Sequence, residues 1–203
     1  MPIMVFGDSI SGNCWKVATI LRLTGRAFAW VETDVRLAAT RTPEFLAMNP
    51  NGKVPIVVLE DGQVLTESDA ILLHFAEGTS WLPPPGLART RVLEWLFFEQ
   101  YSHEPAIAVA RFIITYLHQR EAQIERVRQC WQRGEQALDV MERRLGTSAF
   151  LTDTGPSVAD LALVAYTQAA DEGGFDLGRW PGVQRWVTRV LALPQITPLA
   201  KAG

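Results

Sequence analysis

The sequence predicts an α/β domain built on a mixed four-stranded sheet, followed by an all-helical bundle. Three observations carry that expectation. Strand and helix signals alternate through the first 78 residues, the run Pro83-Pro84-Pro85 then interrupts all periodicity, and every segment beyond it repeats its apolar residues at helical spacing. The implied division is 1–78 for the first domain, 79–87 for a linker stiffened by prolines, and 88–203 for the helical domain.

In the first domain, Ile3-Met4-Val5-Phe6 is a short apolar run ended by Gly7-Asp8-Ser9, the pattern of a buried strand. Cys14, Val17, Ala18 and Leu21 fall at i, i+3, i+4 and i+7, one face of a helix that Gly25 is suited to stop. Phe28 to Val35 is rich in aromatic and β-branched residues and reads as a second strand. Thr42-Pro43-Glu44 has the form of an N-cap with proline at the first helical position. Two apolar runs, Val54 to Leu59 and Gln63 to Leu65, flank an Asp61-Gly62 turn and predict a hairpin. Asp69 to Glu77 completes the set as a helix carrying Ile71, Leu72 and Phe75. Strands joined through a helix should be parallel with a right-handed crossover, and the hairpin must be antiparallel.

Beyond the prolines, Ala88 to about Gln119 is apolar on nearly every side (Val92, Trp95, Leu96, Phe97, Ile107, Val109, Phe112, Ile113), which predicts central burial, with a kink or break at Pro105. Ile124, Val127, Trp131, Leu138, Met141 and Leu145 keep one stripe and fit a bundle helix. Ser157-Val158-Ala159-Asp160 is a capping box that opens a further helix. Pro181 leads into the stripe Val183, Trp186, Val187, Val190 and Leu191. Trp81, Trp95, Trp131, Trp180 and Trp186 fall at packing positions.

Composition narrows the function classes. The chain has 203 residues, 48% hydrophobic and 20% charged, enough apolar side chain to bury a core and too much for intrinsic disorder. A net charge of −3 gives no global attraction to nucleic acid or to an anionic membrane. Cys14 and Cys130 cannot build a disulfide framework, and no C-x-x-C pair offers a metal or redox site, so no metal is expected. The first residues lack a basic region and a long apolar run, and no stretch approaches a membrane span. These features point to a reducing, cytoplasmic setting.

Three loops hold residue types that could carry chemistry. Ser11-Gly12-Asn13-Cys14 sits where strand one gives way to helix one, and a hydroxyl there can donate to an anion at the helix start. Plain N-capping by Ser11 or Asn13 explains the same residues. Asn49-Pro50-Asn51-Gly52-Lys53-Val54-Pro55 places a proline at the start of a strand, where it removes a ladder donor. If that bond is cis, the preceding backbone can turn outward toward a peptide-like ligand, whereas an ordinary trans bond would only begin the strand. Thr66-Glu67-Ser68-Asp69 puts a carboxylate and a hydroxyl at another helix start, fit to hold an amino group and a carboxylate, or simply to cap. All three should face one crevice.

Taken together, with Ser157-Val158-Ala159-Asp160-Leu161, these motifs resemble the cytosolic glutathione transferases of the serine-using type over essentially the whole chain. The resemblance implies a thioredoxin-like first domain, a homodimer, glutathione as co-substrate and a cis Val54-Pro55 bond. It implies that Val54 pairs with the cysteinyl part of glutathione, that Glu67 and Ser68 hold the γ-glutamyl end, and that Lys53 reaches the glycyl carboxylate, with Pro55 shaping the edge. Ser157 and Asp160 match the family's structural folding box. Ser11 matches the donor that keeps the sulfur negative, with Asn13 as a second donor and Ser9 as the fallback. The family's tyrosine version is excluded near the start of the chain, because no tyrosine precedes Tyr101. The expected reaction is conjugation of the thiolate to small hydrophobic electrophiles. Glutathione-dependent reduction, isomerisation or dehalogenation on the same scaffold, with Cys14 as a redox thiol, and a non-catalytic interaction protein are the alternatives. Candidates for the electrophile pocket are Tyr101, His103, Ala108, Arg111, Phe112 and Thr115, among which Arg111 and His103 could polarise a substrate or serve only as satisfied helix residues. His74 and His118 have no partners in sequence and read as structural.

Overall fold

A computed structural model of the chain describes residues 1–201. The strands are β1 (Ile3–Gly7), β2 (Phe28–Glu32), β3 (Ile56–Val58) and β4 (Val64–Leu65), in the sheet order β2-β1-β3-β4. β1 pairs parallel with β2, Val5 opposite Trp30, and antiparallel with β3, Val5 opposite Val57; β3 and β4 form the antiparallel hairpin. β2 is shorter than its residue types suggested, because Asp34 caps a turn at Val35–Leu37 and takes those residues out of the ladder.

The first domain adds helices α1 (Gly12–Leu23), α2 (Pro43–Met48) and α3 (Ser68–Ala76). Thr42 caps α2 by accepting the Phe45 N–H at 3.2 Å, as its sequence form predicts. α1 is buried almost throughout, since it packs on α3 and also against a helix of the second domain.

The second domain is helical: α4 (Leu87–Phe98), α5 (Glu104–Arg111), α6 (Ile124–Leu145), α7 (Val158–Thr167) and α8 (Pro181–Leu191). Pro105 does not break the long segment. It sits in the first turn of α5, and the wide turn Glu99–His103 carries the chain from α4 into it; a second wide turn, Phe112–Tyr116, follows. Proline has no N–H for the Tyr101 carbonyl, and Arg133 of α6 donates to that carbonyl instead at 3.2 Å. The expected central burial of this segment holds for Val92, Leu96, Ile107 and Ile113 but not for Phe97, which is 73% exposed. α7 is the true centre, with every residue from Val158 to Thr167 buried. Asp160 terminates the capping box and takes more: Ser157 N–H and hydroxyl on one oxygen, Leu151 N–H and Trp186 Nε1–H on the other. The core runs without interruption from Val5, Ile20 and Ile71 in the first domain to Leu138, Leu163 and Trp186 in the second.

Candidate functional site

The start of α1, residues 49–55 and the start of α3 converge on one cavity of about 400 Å³, closed from the helical domain by Gln100, Glu104, Phe112 and Tyr166. Sheet order explains the convergence. β1 and β3 are neighbours, so the loop that leaves β1 and the turn that enters β3 lie side by side, while α3 begins directly after the hairpin.

Ser11 is the N-cap of α1 and accepts the Cys14 N–H at 3.4 Å. It is half-buried and does not itself line this cavity, which Asn13 and Tyr166 do. The helix start behind it supplies unpaired N–H groups and a partial positive charge. Asn13 is engaged on both sides: its Nδ2 donates to Glu104 (3.3 Å), its Oδ1 accepts the Ser68 hydroxyl (3.3 Å), and its backbone N–H donates to the Tyr166 hydroxyl (3.4 Å). Ser9 belongs elsewhere. Its N–H goes to Glu32, and it lines a separate hollow with Trp15, Trp30 and Thr197.

The Val54-Pro55 bond is cis, as the resemblance implies, and Val54 precedes the paired residues of β3. Asn49 fixes the approach, donating from Nδ2 to the Lys53 carbonyl (2.9 Å) and accepting the Asn51 N–H (3.1 Å). Arg41 joins Lys53 on this wall. A Cβ at Gly52 would collide with the Arg41 guanidinium, and the positive φ of 59° there suits glycine as well. Opposite in charge stands Glu67, an exposed residue at φ 65° just ahead of α3, whose carboxylate has no hydrogen-bond partner among the described residues. Such a backbone costs about 1–3 kcal/mol for a non-glycine residue and is a mark of functional positions.

Beneath the wall, Lys16 is fully buried and its Nζ bonds Glu99 (2.8 Å), Asp69 (3.1 Å) and the Ser68 hydroxyl (3.4 Å). Burial opposes the lysine charge, but the two carboxylates outweigh it and raise its pKa. Burial pushes Glu99 up to about 7 despite the lysine beside it. Cys14 is 0% exposed, its sulfur accepting the Asp8 N–H at 3.4 Å, and burial pushes its thiol up to about 12. That environment suits a core side chain and disfavours the thiolate.

A second cavity, about 250 Å³ and largely apolar, adjoins the first on the helical side. It takes in Ala108, Arg111 and Phe112 of the expected pocket, together with Ile113, Tyr116 and Tyr166. The Arg111 guanidinium is engaged on two of its three nitrogens: Nε meets Glu172 at 2.7 Å, and Nη1 donates to the Ile10 carbonyl at 2.7 Å and to Tyr116 at 3.4 Å, while the buried Nη2 has no partner among the described residues. The structure does not bring the other three there. Tyr101 is 80% exposed on the outer face, because the wide turn at Glu99–His103 swings it from the core. His103 is buried with its Nε2 2.9 Å from the Thr167 hydroxyl, and burial holds its pKa down near 3. Thr115 donates to the Glu172 carbonyl at 3.0 Å.

Sequence reasoning missed Arg41, Gln100, Glu104, Tyr116 and Tyr166. For Tyr166 one signal existed. Gly12, at the first turn of a helix, has no conformational need to be glycine, and a Cβ there would come within 2.9 Å of the Tyr166 ring. Among the described residues, no group of three or more His, Cys, Asp or Glu could hold a metal ion, and no helix is long and apolar enough to cross a membrane.

Comparison with known proteins adds to this geometry. Residues 10–77 match the pattern described as glutathione S-transferase, N-terminal domain, and residues 121–189 match glutathione S-transferase, C-terminal domain. The chain is 59% identical to a glutathione S-transferase from Xanthobacter autotrophicus Py2 of known crystal structure, with a TM-score of 0.94 over 97% of this chain and 96% of that one. It is 48% identical to a glutathione S-transferase from Pseudomonas fluorescens Pf-5, with a TM-score of 0.95 over 99% and 100%. It is 27% identical to the protein URE2 of Eremothecium gossypii over 95% of this chain, and spans 66% of that relative's length. The four-stranded domain is thus thioredoxin-like, and the chain belongs to the glutathione S-transferase family.

Proposed function

We propose that the protein is a glutathione transferase, conjugating the thiolate of glutathione to small hydrophobic electrophiles. One observation carries this reading: a single cavity gathers the start of α1, the Val54 edge, the cations Arg41 and Lys53, and the unpaired Glu67. The tripeptide has two carboxylates, an ammonium and a peptide backbone, each with a partner of matching chemistry there, and a thiol whose partner, Ser11, caps α1 two residues before the lining Asn13. Arg41 and Lys53 take the glycyl carboxylate, and the Val54 backbone takes the cysteinyl unit, with Pro55 beneath it. Glu67 takes the ammonium, while Ser68 and the start of α3 take the γ-glutamyl carboxylate. The sulfur then lies at the start of α1, beside Ser11.

The magnitudes suffice. A free thiol with a pKa near 8.5 is only a few per cent ionised at neutral pH. Lowering that value by about two units requires about 2.7 kcal/mol of preferential anion stabilisation. A hydroxyl donor to a charged acceptor supplies about 1.5–3 kcal/mol, and a helix start adds about 0.3–1 kcal/mol. Ser11 acts as that donor, with Asn13 as a second, and it is never acylated or alkylated itself. The apolar cavity beside Tyr116 and Phe112 receives the electrophile.

Reduction through Cys14 is disfavoured by its complete burial. Isomerisation and dehalogenation use the same bound thiolate and differ in the electrophile. A non-catalytic interaction protein would have no use for an unpaired carboxylate on a strained backbone at the cavity wall. The protein works as a cytoplasmic homodimer, with the domain boundary in the proline-containing segment 79–87. Calorimetric binding of glutathione with ultraviolet titration of the bound thiolate tests the reading. Ser11→Ala is expected to keep binding and raise the thiol pKa by about one to two units. No binding of glutathione to the wild type would end it.

A further inference from the structure

Tyr166 lies on α7, in the helical domain, yet its ring rests on the first residue of α1. A Cβ on Gly12 would stand 2.9 Å from Cζ and from Cε1 of that ring, so glycine at position 12 is the space the tyrosine occupies. The phenolic oxygen accepts the Asn13 N–H at 3.4 Å, one of the free donors of the helix start. No carbonyl or carboxylate among the described residues is bonded to its proton. Among the described residues only Glu104, Phe112 and Tyr166 line both cavities, and of these only Tyr166 carries a hydroxyl. Burial and the Glu104 carboxylate raise its pKa, while the neighbouring Ser11 hydroxyl lowers it in part; the phenol stays protonated and able to donate.

We propose that Tyr166 donates a hydrogen bond to the glutathione sulfur, so that the thiolate is held between a serine of one domain and a tyrosine of the other. The inference rests on the reading of the larger cavity as the glutathione site. It replaces a one-hydroxyl site with a two-hydroxyl site, in which the second donor also faces the cavity where the electrophile would sit. No bond is broken by Tyr166: the thiol proton leaves to solvent and the phenol keeps its own.

The test uses the full-length protein with glutathione and with S-methylglutathione, which has the same peptide groups but no thiol to ionise. Tyr166→Phe keeps the ring on Gly12 and removes only the hydroxyl. It is expected to raise the pKa of bound glutathione, read by ultraviolet thiolate absorbance, by about one unit. Affinity for S-methylglutathione should stay within about twofold, because a charge-assisted bond to sulfur is absent from both variants in that complex. An unchanged thiol pKa in Tyr166→Phe, alongside a raised one in Ser11→Ala, would overturn the proposal and leave the glutathione site standing. A matching loss of S-methylglutathione affinity would also overturn it, since the tyrosine would then only pack. Failure of wild type to bind either peptide would remove both readings.

Discussion

Lys16 carries a charge into a fully buried position, and three oxygens on two other helical segments make it tolerable: Ser68, Asp69 and Glu99. Removing one partner from such a cluster leaves buried charge uncompensated. Lys16→Met is therefore expected to cost about 3–5 kcal/mol, read as a fall in urea unfolding midpoint, because Asp69 and Glu99 would be left facing each other. His103 gives a pH signature. Thr167 spends its own proton on the Leu163 carbonyl (2.7 Å), so His103 Nε2 must be the donor to Thr167, and its Nδ1 is left without a partner. The folded pKa lies near 3 and the unfolded one near 6.5. The contribution of His103 is thus fully present above about pH 6.5 and is lost as pH falls toward 3, the unfolded chain binding the proton first. Urea midpoints measured between pH 7 and pH 4 should fall more steeply for wild type than for His103→Leu; parallel slopes would contradict the assignment. Neither residue was legible in sequence. A lysine inside Ser11–Val17 looks like any exposed helix cation, and His103 looked like a pocket residue because sequence spacing does not show which way a wide helical turn rotates its side chains.

The helices show where local pattern is sufficient and where it fails. Thr42-Pro43-Glu44 and Ser157-Val158-Ala159-Asp160 were readable because a cap is satisfied by residues within one turn of itself. The reach of Asp160 was not, since Leu151 and Trp186 approach it only after folding. Asp160→Ala strips a buried carboxylate from four donors, and a loss of about 3–5 kcal/mol is expected in thermal or urea unfolding, the range for breaking a buried charged network. The segment from Leu87 to Tyr116 misled in the opposite way. Apolar residues on all sides fit a core helix, but Phe97 and Tyr101 face outward, and periodicity cannot separate a core face from a face awaiting a partner. At the site, the three loops were legible because each combines a helix or strand start with a residue of unusual demands. Arg41 and Tyr166 were not: Arg41 precedes the α2 cap without taking part in it, and the sole hint of Tyr166 is a glycine at position 12, far away in sequence.

At the scale of the whole molecule, those outward aromatics support the proposed homodimer. Tyr101, at 80% exposure, lines a hollow with Phe98, Arg133, Gln136 and Val140, and Phe97, at 73%, is exposed on the same segment. A second copy of the chain would cover them. Phe97→Asp combined with Tyr101→Asp should convert a dimer to a monomer in sedimentation velocity, while leaving the circular dichroism of the fold intact; a double variant that still sediments as a dimer would place the interface elsewhere. The alternation of strand and helix signals, the proline break and the helical remainder were enough to anticipate the two-domain layout. What they could not show is how the domains lock. Arg111 of α5 donates to the Ile10 carbonyl just ahead of α1, and the Tyr166 ring fills the notch at Gly12.

That lock governs how this protein can be cut and recombined. A chimera that kept the sheet half and borrowed its bundle from a distant relative would have to rebuild the core that the two halves share. It would still present a vacant notch or a clash beside residue 12, and a loop at residue 10 with its tether gone. Grafting across the seam should succeed only when the glycine, the tyrosine and the arginine travel as one set.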